Sequence, residues 1–257
     1  MNKQNISLKV ARDLYYIQVV WTFVFLGVIL IVNIVKTVYA FISDKQTEGF
    51  FNMSFVSSNL YMFIIGLIAI SFLTYFVGLG VTRKDYFIGN MLASLGLALT
   101  LAIVTSIVFL LEKLVVAWIG LSYAGTTIKE IEVDGNILGD LSQMIVISPY
   151  VDPHTNLILA TFIMAVNTFI LYILGWMISA TFYHFGVIRG LIAIIIAIIA
   201  KIFKDNLLRM TLDLPLVGWF DNLPYMPSVV ASLIIFFLCI IILYAIHQMT
   251  KRVPVKM

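Results

Sequence analysis

Six windows of mainly apolar residues recur along the chain, and no other feature of the sequence constrains its fold as strongly. The hydrocarbon core of a bilayer, about 30 Å thick, takes roughly 20 such residues per helix. The windows predict spans near 17–40, 57–79, 88–111, 157–182, 187–203 and 228–247. Water is the wrong solvent for such a chain. Of 257 residues 62% are hydrophobic and 11% charged, too little polar material to coat a globule of this size. The first window is longer than the apolar run of a secretory leader and no small-residue cleavage pattern follows it, so it is expected to be retained. The single Cys239 has no intrachain partner, which excludes a disulfide-stapled scaffold. The net charge of +3 is spread over short loops rather than gathered into a patch, so nucleic acid is not an expected partner. The expected fold is all-α: one polytopic membrane domain over residues 1–257.

Charge placement orients the spans. If the amino terminus is cytoplasmic, the inner segments hold Lys3, Lys9, Arg12, Arg83, Lys84, Arg189, Lys251, Arg252 and Lys256, with only Asp13 and Asp85 as acids. The outer segments carry the acidic excess, which supports the orientation that the positive-inside rule draws from the Lys and Arg of the inner loops. Both termini are therefore expected in the cytoplasm.

Three stretches outside the spans have a character of their own. Residues 1–16 place Ile6, Val10 and Leu14 at helical spacing with Lys3, Lys9 and Arg12 off that stripe. This reads as an interfacial amphipathic helix on anionic lipid, or as a plain basic flank of the first span. The outer segment 112–156 turns from apolar-aromatic to polar, and alternation over residues 127–133 before Asp134-Gly135 suits a short hairpin strand. Residues 204–227 are rich in leucine and aromatics but interrupted by Pro215, Gly218, Pro224 and Pro227. They predict a re-entrant segment, tolerated where it packs on protein or lines a cavity. Trp219, Phe220 and Pro224 are its candidate outer-gate residues, with simple interfacial packing the alternative.

Ionisable groups inside the windows are scarce. Lys36 and Lys201 lie late in their spans, where snorkelling to the outer interface accounts for them, and no window holds a central Asp or Glu. This argues against a carrier that relays protons or sodium at mid-membrane. Among uncharged polar residues, Asn33, Asn59, Thr74 and Asn167 are candidates for lining a mostly apolar pathway, better suited to an amphipathic cargo than to a hydrated ion. Gly186 and Gly190, at small-xxx-small spacing, predict close helix packing. No His-Glu-x-x-His or Gly-x-Ser-x-Gly run occurs, and His154, His184 and His247 are scattered, so no catalytic residues or metal ligands are expected.

The inner loop between the second and third windows reads Gly80-Val81-Thr82-Arg83-Lys84-Asp85-Tyr86-Phe87. Gly80 can take a tight-turn conformation, Thr82 can cap a helix and Asp85 suits its first turn. Arg83 and Lys84 would face the cytoplasm, and Tyr86 with Phe87 would offer an aromatic side to a groove on another protein.

A glycine, a small hydroxyl residue, an arginine, another polar residue and paired aromatics after the second helix resemble the loop of ABC-2 type permeases, the membrane subunits of bacterial ABC exporters. The likeness extends to the whole architecture, although the outer segment here is longer than in the simplest members. It implies that Thr82, Arg83, Lys84, Asp85, Tyr86 and Phe87 form a coupling helix seated in a nucleotide-binding ATPase subunit. It also implies a second permease copy, identical or not. No G-x-x-x-x-G-K-[ST] run is present, so this chain has no phosphate cradle and ATP with Mg would sit on the partner subunit. The resemblance includes exporters of antimicrobial peptides and phenol-soluble modulins, which makes a peptide the preferred cargo, with a drug or lipid as alternatives. A channel, or a membrane-anchor subunit of another complex, is the rival reading.

Overall fold

The computed structural model describes residues 6–123, 148–216 and 226–251. Among them are six helices and no sheet: α1 (Ile6–Ile42), α2 (Phe50–Gly78), α3 (Arg83–Trp118), α4 (Leu157–Phe185), α5 (Val187–Thr211) and α6 (Ser228–Lys251). Five of them, α1, α2, α3, α4 and α6, are long and apolar enough to cross a membrane. By helix length and hydropathy this is a multi-pass membrane protein. The sixth expected span, 187–203, is not among the five. It lies within α5, where Arg189 near one end and Lys201, Lys204 and Asp205 near the other leave no 18-residue window with as few as 2 charges.

Two boundaries differ from expectation for one reason: a helix continues wherever a neighbour buries its next turn. Residues 6–16 are not a separate interfacial helix, because α1 runs unbroken from Ile6 to Ile42. Val10 and Leu14 face α3 rather than lipid headgroups, and a Cβ on Gly89 would lie 2.7 Å from Val10. Likewise α3 passes residue 111 and ends at Trp118, taking in the start of the expected outer segment. The hairpin strand expected at 127–133 lies outside the described residues.

The core is built around α4, whose Trp176 and Tyr172 are fully buried. Glycines let α2 approach it backbone to backbone. A Cβ on Gly66 would stand 2.1 Å from the Tyr172 carbonyl oxygen, and one on Gly175 2.3 Å from that of Phe63. Polar groups tie the other helices in. Tyr172 donates to Asn90 Oδ1 on α3 at 2.9 Å and accepts from Gln18 Nε2 on α1 at 3.1 Å. Gly186 links α4 to α5 with φ +81°, a conformation that favours glycine. Gly190 packs on the Phe182 ring 2.3 Å from its would-be Cβ, so this glycine pair serves contact within the chain.

Contacts between helix termini show which ends lie together. Ser7 bonds Asp85, Arg83 bonds the Lys251 carbonyl, and Thr181 approaches Met249. The starts of α1, α3 and α5 and the finishes of α4 and α6 therefore share one end of the bundle, which carries Lys9, Arg12, Arg83, Lys84, Arg189 and Lys251. This is the basic end. At the opposite end Thr47 pairs with Tyr123, and Glu112 accepts from the Phe50 N–H at 2.7 Å. Burial, then the Glu112 charge, pushes the ionisation of Tyr123 upward; burial, then Asp152, does the same to Tyr150.

Candidate functional site

At the basic end the α2–α3 turn is built as its residue types dictate. Gly80 sits at φ +85°, where a side chain would be strained. Thr82 then caps α3: its Oγ1 accepts from the Asp85 N–H at 3.1 Å and donates to Asp85 Oδ2 at 2.6 Å. The other carboxylate oxygen of Asp85 accepts from Ser7 Oγ at 2.6 Å, and Arg83 Nη1 donates to the Lys251 carbonyl at 3.1 Å. One turn thereby fastens the ends of α1, α3 and α6, while Lys84 stands exposed.

The aromatic half of the expected docking segment is placed differently. Residues 82–87 are not a free-standing short helix but the capped first turn of α3. Tyr86 is fully buried, and its hydroxyl donates to the Ala69 carbonyl of α2. Phe87 is half-buried, 5.5 Å from the Trp176 ring and 4.7 Å from that of His247. The cause is helical phase, since Tyr86 shares a face with Gly89, Asn90, Ala93 and Leu97, all buried. Neither ring stands out for a partner. What the turn presents outward is Lys84 with the exposed Thr82.

The four candidate pathway residues part company. Asn33 donates to the Glu48 carbonyl at 3.1 Å and secures the loop after α1. Thr74 bonds back to the Ser71 carbonyl of its own helix at 2.7 Å. Asn59 and Asn167 meet inside the bundle, Asn167 Nδ2 donating to Asn59 Oδ1 at 2.6 Å. The outer-gate candidates Trp219, Phe220 and Pro224 lie outside the described residues.

The asparagine pair belongs to a larger polar cluster. Lys204, fully buried, pairs with Asp205 and donates to Asn167 Oδ1; Lys201 pairs with Asp205 at 2.7 Å across one helical turn. Lys201 is 4% exposed and does not snorkel, and Asp205 is a carboxylate within the bundle just past the expected span 187–203. Asn167 is ten residues, about 15 Å, in from the start of α4. Lys201, Lys204, Asp205 and Leu208 fall at i, i+3, i+4 and i+7, a helical stripe that in principle betrays the continuation of α5 beyond 203.

Beside this cluster, α2 and α5 stand apart over α4 and leave a trough of about 610 Å³. It is lined by apolar side chains such as Ile64, Leu171, Leu174 and Ile198, with Asn59 and Lys201 also in its wall. A second hollow of about 650 Å³ shares Phe63, Ile178 and Ile194 with it and reaches Phe182 and Tyr183 toward the basic end. Among the described residues no group of His, Cys, Asp and Glu is placed to hold a metal ion.

No protein-family model, curated protein or solved structure matches this chain.

Proposed function

We propose that this chain is the permease subunit of an ATP-driven exporter in a bacterial cell membrane, its basic end and both termini in the cytoplasm. The observation that carries the reading is the α2–α3 turn. A force applied at Lys84 is delivered through Asp85 to α1 and through Arg83 to α6, so a motor seated there would move three helices at once. The resemblance of residues 80–87 to the ABC-2 permease loop supports the same assignment, as does the gathering of basic residues at this end. The motor is a separate P-loop ATPase, which holds ATP and Mg, and a second permease copy completes the translocation path.

Docking in this reading is electrostatic on the permease side, because the paired rings are turned inward. Lys84 would meet an acidic groove on the ATPase, and Tyr86 and Phe87 would brace the turn from behind. A hydrophobic or amphipathic cargo, preferably a peptide, suits the apolar trough.

Co-purification with a P-loop ATPase, sought first in the reading frames beside this gene, tests the assignment, with ATP hydrolysis of the purified complex as readout. Lys84→Glu is expected to cut retained ATPase by roughly tenfold, the scale of one lost charge contact. Lys45→Glu, exposed at the opposite end, should leave it unchanged. Equal retention by both variants, or none by the unaltered chain, would overturn the assignment in favour of a channel or an anchor subunit.

A further inference from the structure

At the end of the bundle opposite the basic one, five rings stand in an arc around a small hollow. Between ring centroids Tyr123 and His154 are 4.6 Å apart, His154 and Phe109 4.9 Å, Phe109 and Phe51 6.0 Å, and Phe51 and Tyr150 6.1 Å. All five line the hollow, whose volume of about 10 Å³ is close to the room that one water-sized group needs. Phe51 and Phe109 are fully buried, whereas His154 is exposed and forms the rim.

The polar atoms of this wall stand without partners. Asn52 Oδ1 and the hydroxyls of Tyr123 and Tyr150 are buried and make no hydrogen bond, although such groups are ordinarily paired. Each of the three oxygens has lone pairs to offer. A Cβ on Gly49, which also lines the hollow, would lie 3.6 Å from the Tyr123 ring and 3.9 Å from Glu112 Oε2, so that carboxylate borders it. Glu112 takes the Phe50 N–H at 2.7 Å and lies near the Asn33 amide, and Asp152 takes the His154 N–H at 2.9 Å. Neither carboxylate forms an ion pair with a lysine or arginine among the described residues.

We propose that this hollow is a binding site for a primary ammonium group, carried by a lipid headgroup or by a free amine. The N–H groups donate to Asn52 Oδ1 and to the hydroxyls of Tyr123 and Tyr150, while the rings and the Glu112 charge attract the cation. Size and chemistry select the head. A quaternary ammonium is too bulky for the room and has no N–H to donate. A sodium ion seeks a full shell of oxygens, and most of this wall is ring surface. An anion would meet the charges of Glu112 and Asp152. The hollow lies where the apolar windows of α3 and α4 stop, at the level of lipid headgroups, so a lipid and a solute can both reach it. The site does not depend on the exporter reading, and its occupancy can be measured on the chain alone.

The test is equilibrium dialysis of radiolabelled methylammonium against the purified full chain in a non-ionic detergent, with tetramethylammonium and sodium as competitors. Methylammonium should bind saturably, and each competitor should be weaker by roughly tenfold or more. Glu112→Gln keeps an oxygen for the Phe50 N–H while removing the charge, and should weaken binding about tenfold. Tyr150→Phe keeps the ring and loses the hydroxyl; it should weaken binding about fivefold, and it decides the matter if Glu112→Gln does not fold. Asp13→Asn, exposed at the basic end, should leave binding unchanged. Helix content and a monodisperse elution profile serve as the folding control. Nanodiscs then assign the source: binding lost in phosphatidylethanolamine but kept in phosphatidylcholine means that the lipid head fills the site, and binding kept in both means a free amine. Absence of saturable binding, competition by tetramethylammonium or sodium as strong as by methylammonium itself, or an unaltered affinity in the variants that fold would each overturn the proposal. None of these outcomes bears on ATPase retention, so the two readings fail separately.

Discussion

The two ends of the bundle dispose of charge in opposite ways. At the basic end the lysines stay outside and the rings go in: Lys84 is exposed, while Tyr86 beneath it is fully buried. At the opposite end Lys36 pairs with Glu48 at the surface, yet on α5 Lys204 is sealed inside the protein with Asp205. Length along the helix accounts for the contrast. Lys84 sits in the first turn of α3, where the stem clears the bundle, whereas Lys204 lies level with Asn167, well below the start of α4. A buried cation needs a counter-charge and hydrogen-bond acceptors, and Asp205 with Asn167 supply them. Lys84 is thus available to a partner, whereas Lys204 is part of the interior.

The sharpest way to break this contrast is Asp205→Ala. Removing the carboxylate takes the paired anion from the fully buried Lys204, and the expected cost is about 3–5 kcal/mol, read as a large fall in thermal midpoint in detergent. A negligible change would mean that the Lys204 ammonium does not depend on this carboxylate. A smaller effect is expected on the basic side from Tyr86→Phe. Loss of the hydroxyl that bonds the Ala69 carbonyl should destabilise by about 1 kcal/mol with the ring still packed on Trp176. No effect would mean that the buried hydroxyl contributes nothing beyond ring packing. Least of all should come from Lys36→Ala, which breaks an ion pair whose side chains are 51% and 53% exposed. Less than about 0.5 kcal/mol is expected, within the error of most melts, and a fall comparable to that of Asp205→Ala would erase the distinction between the ends.

Most of the architecture could be read from the chain because apolar windows of membrane length are hard to mistake. The capped turn was equally legible: Gly80, Thr82 and Asp85 each do what a short-range rule assigns them. Tyr86 and Phe87 turn inward, against expectation, because adjacency in sequence says nothing about which side of a helix a ring takes. The small residues Gly89 and Ala93, on the same face, carried that information. The polar cluster is hidden in the sequence for a different reason: charges ordinarily mark the end of a span. Lys201, Lys204 and Asp205 resemble the edge of a membrane segment, yet α5 continues through them to Thr211, with Lys204 donating to Asn167. Pairing between asparagines 108 positions apart in the chain has no local signature.

The first and third helices run side by side in the same direction for 37 and 36 residues, about 55 Å each. They are pinned to each other near the beginning by Ser7 and Asp85, and beyond the far tips by the Thr47 N–H on the Ser122 carbonyl at 3.2 Å. Two rods fastened at top and bottom cannot slide past one another; they can only lean together. Their length exceeds the thickness of the oily slab by about 25 Å, so the pair must either protrude or tilt. A small change of lean imposed at one face of the membrane would then be felt as a sideways sweep at the other.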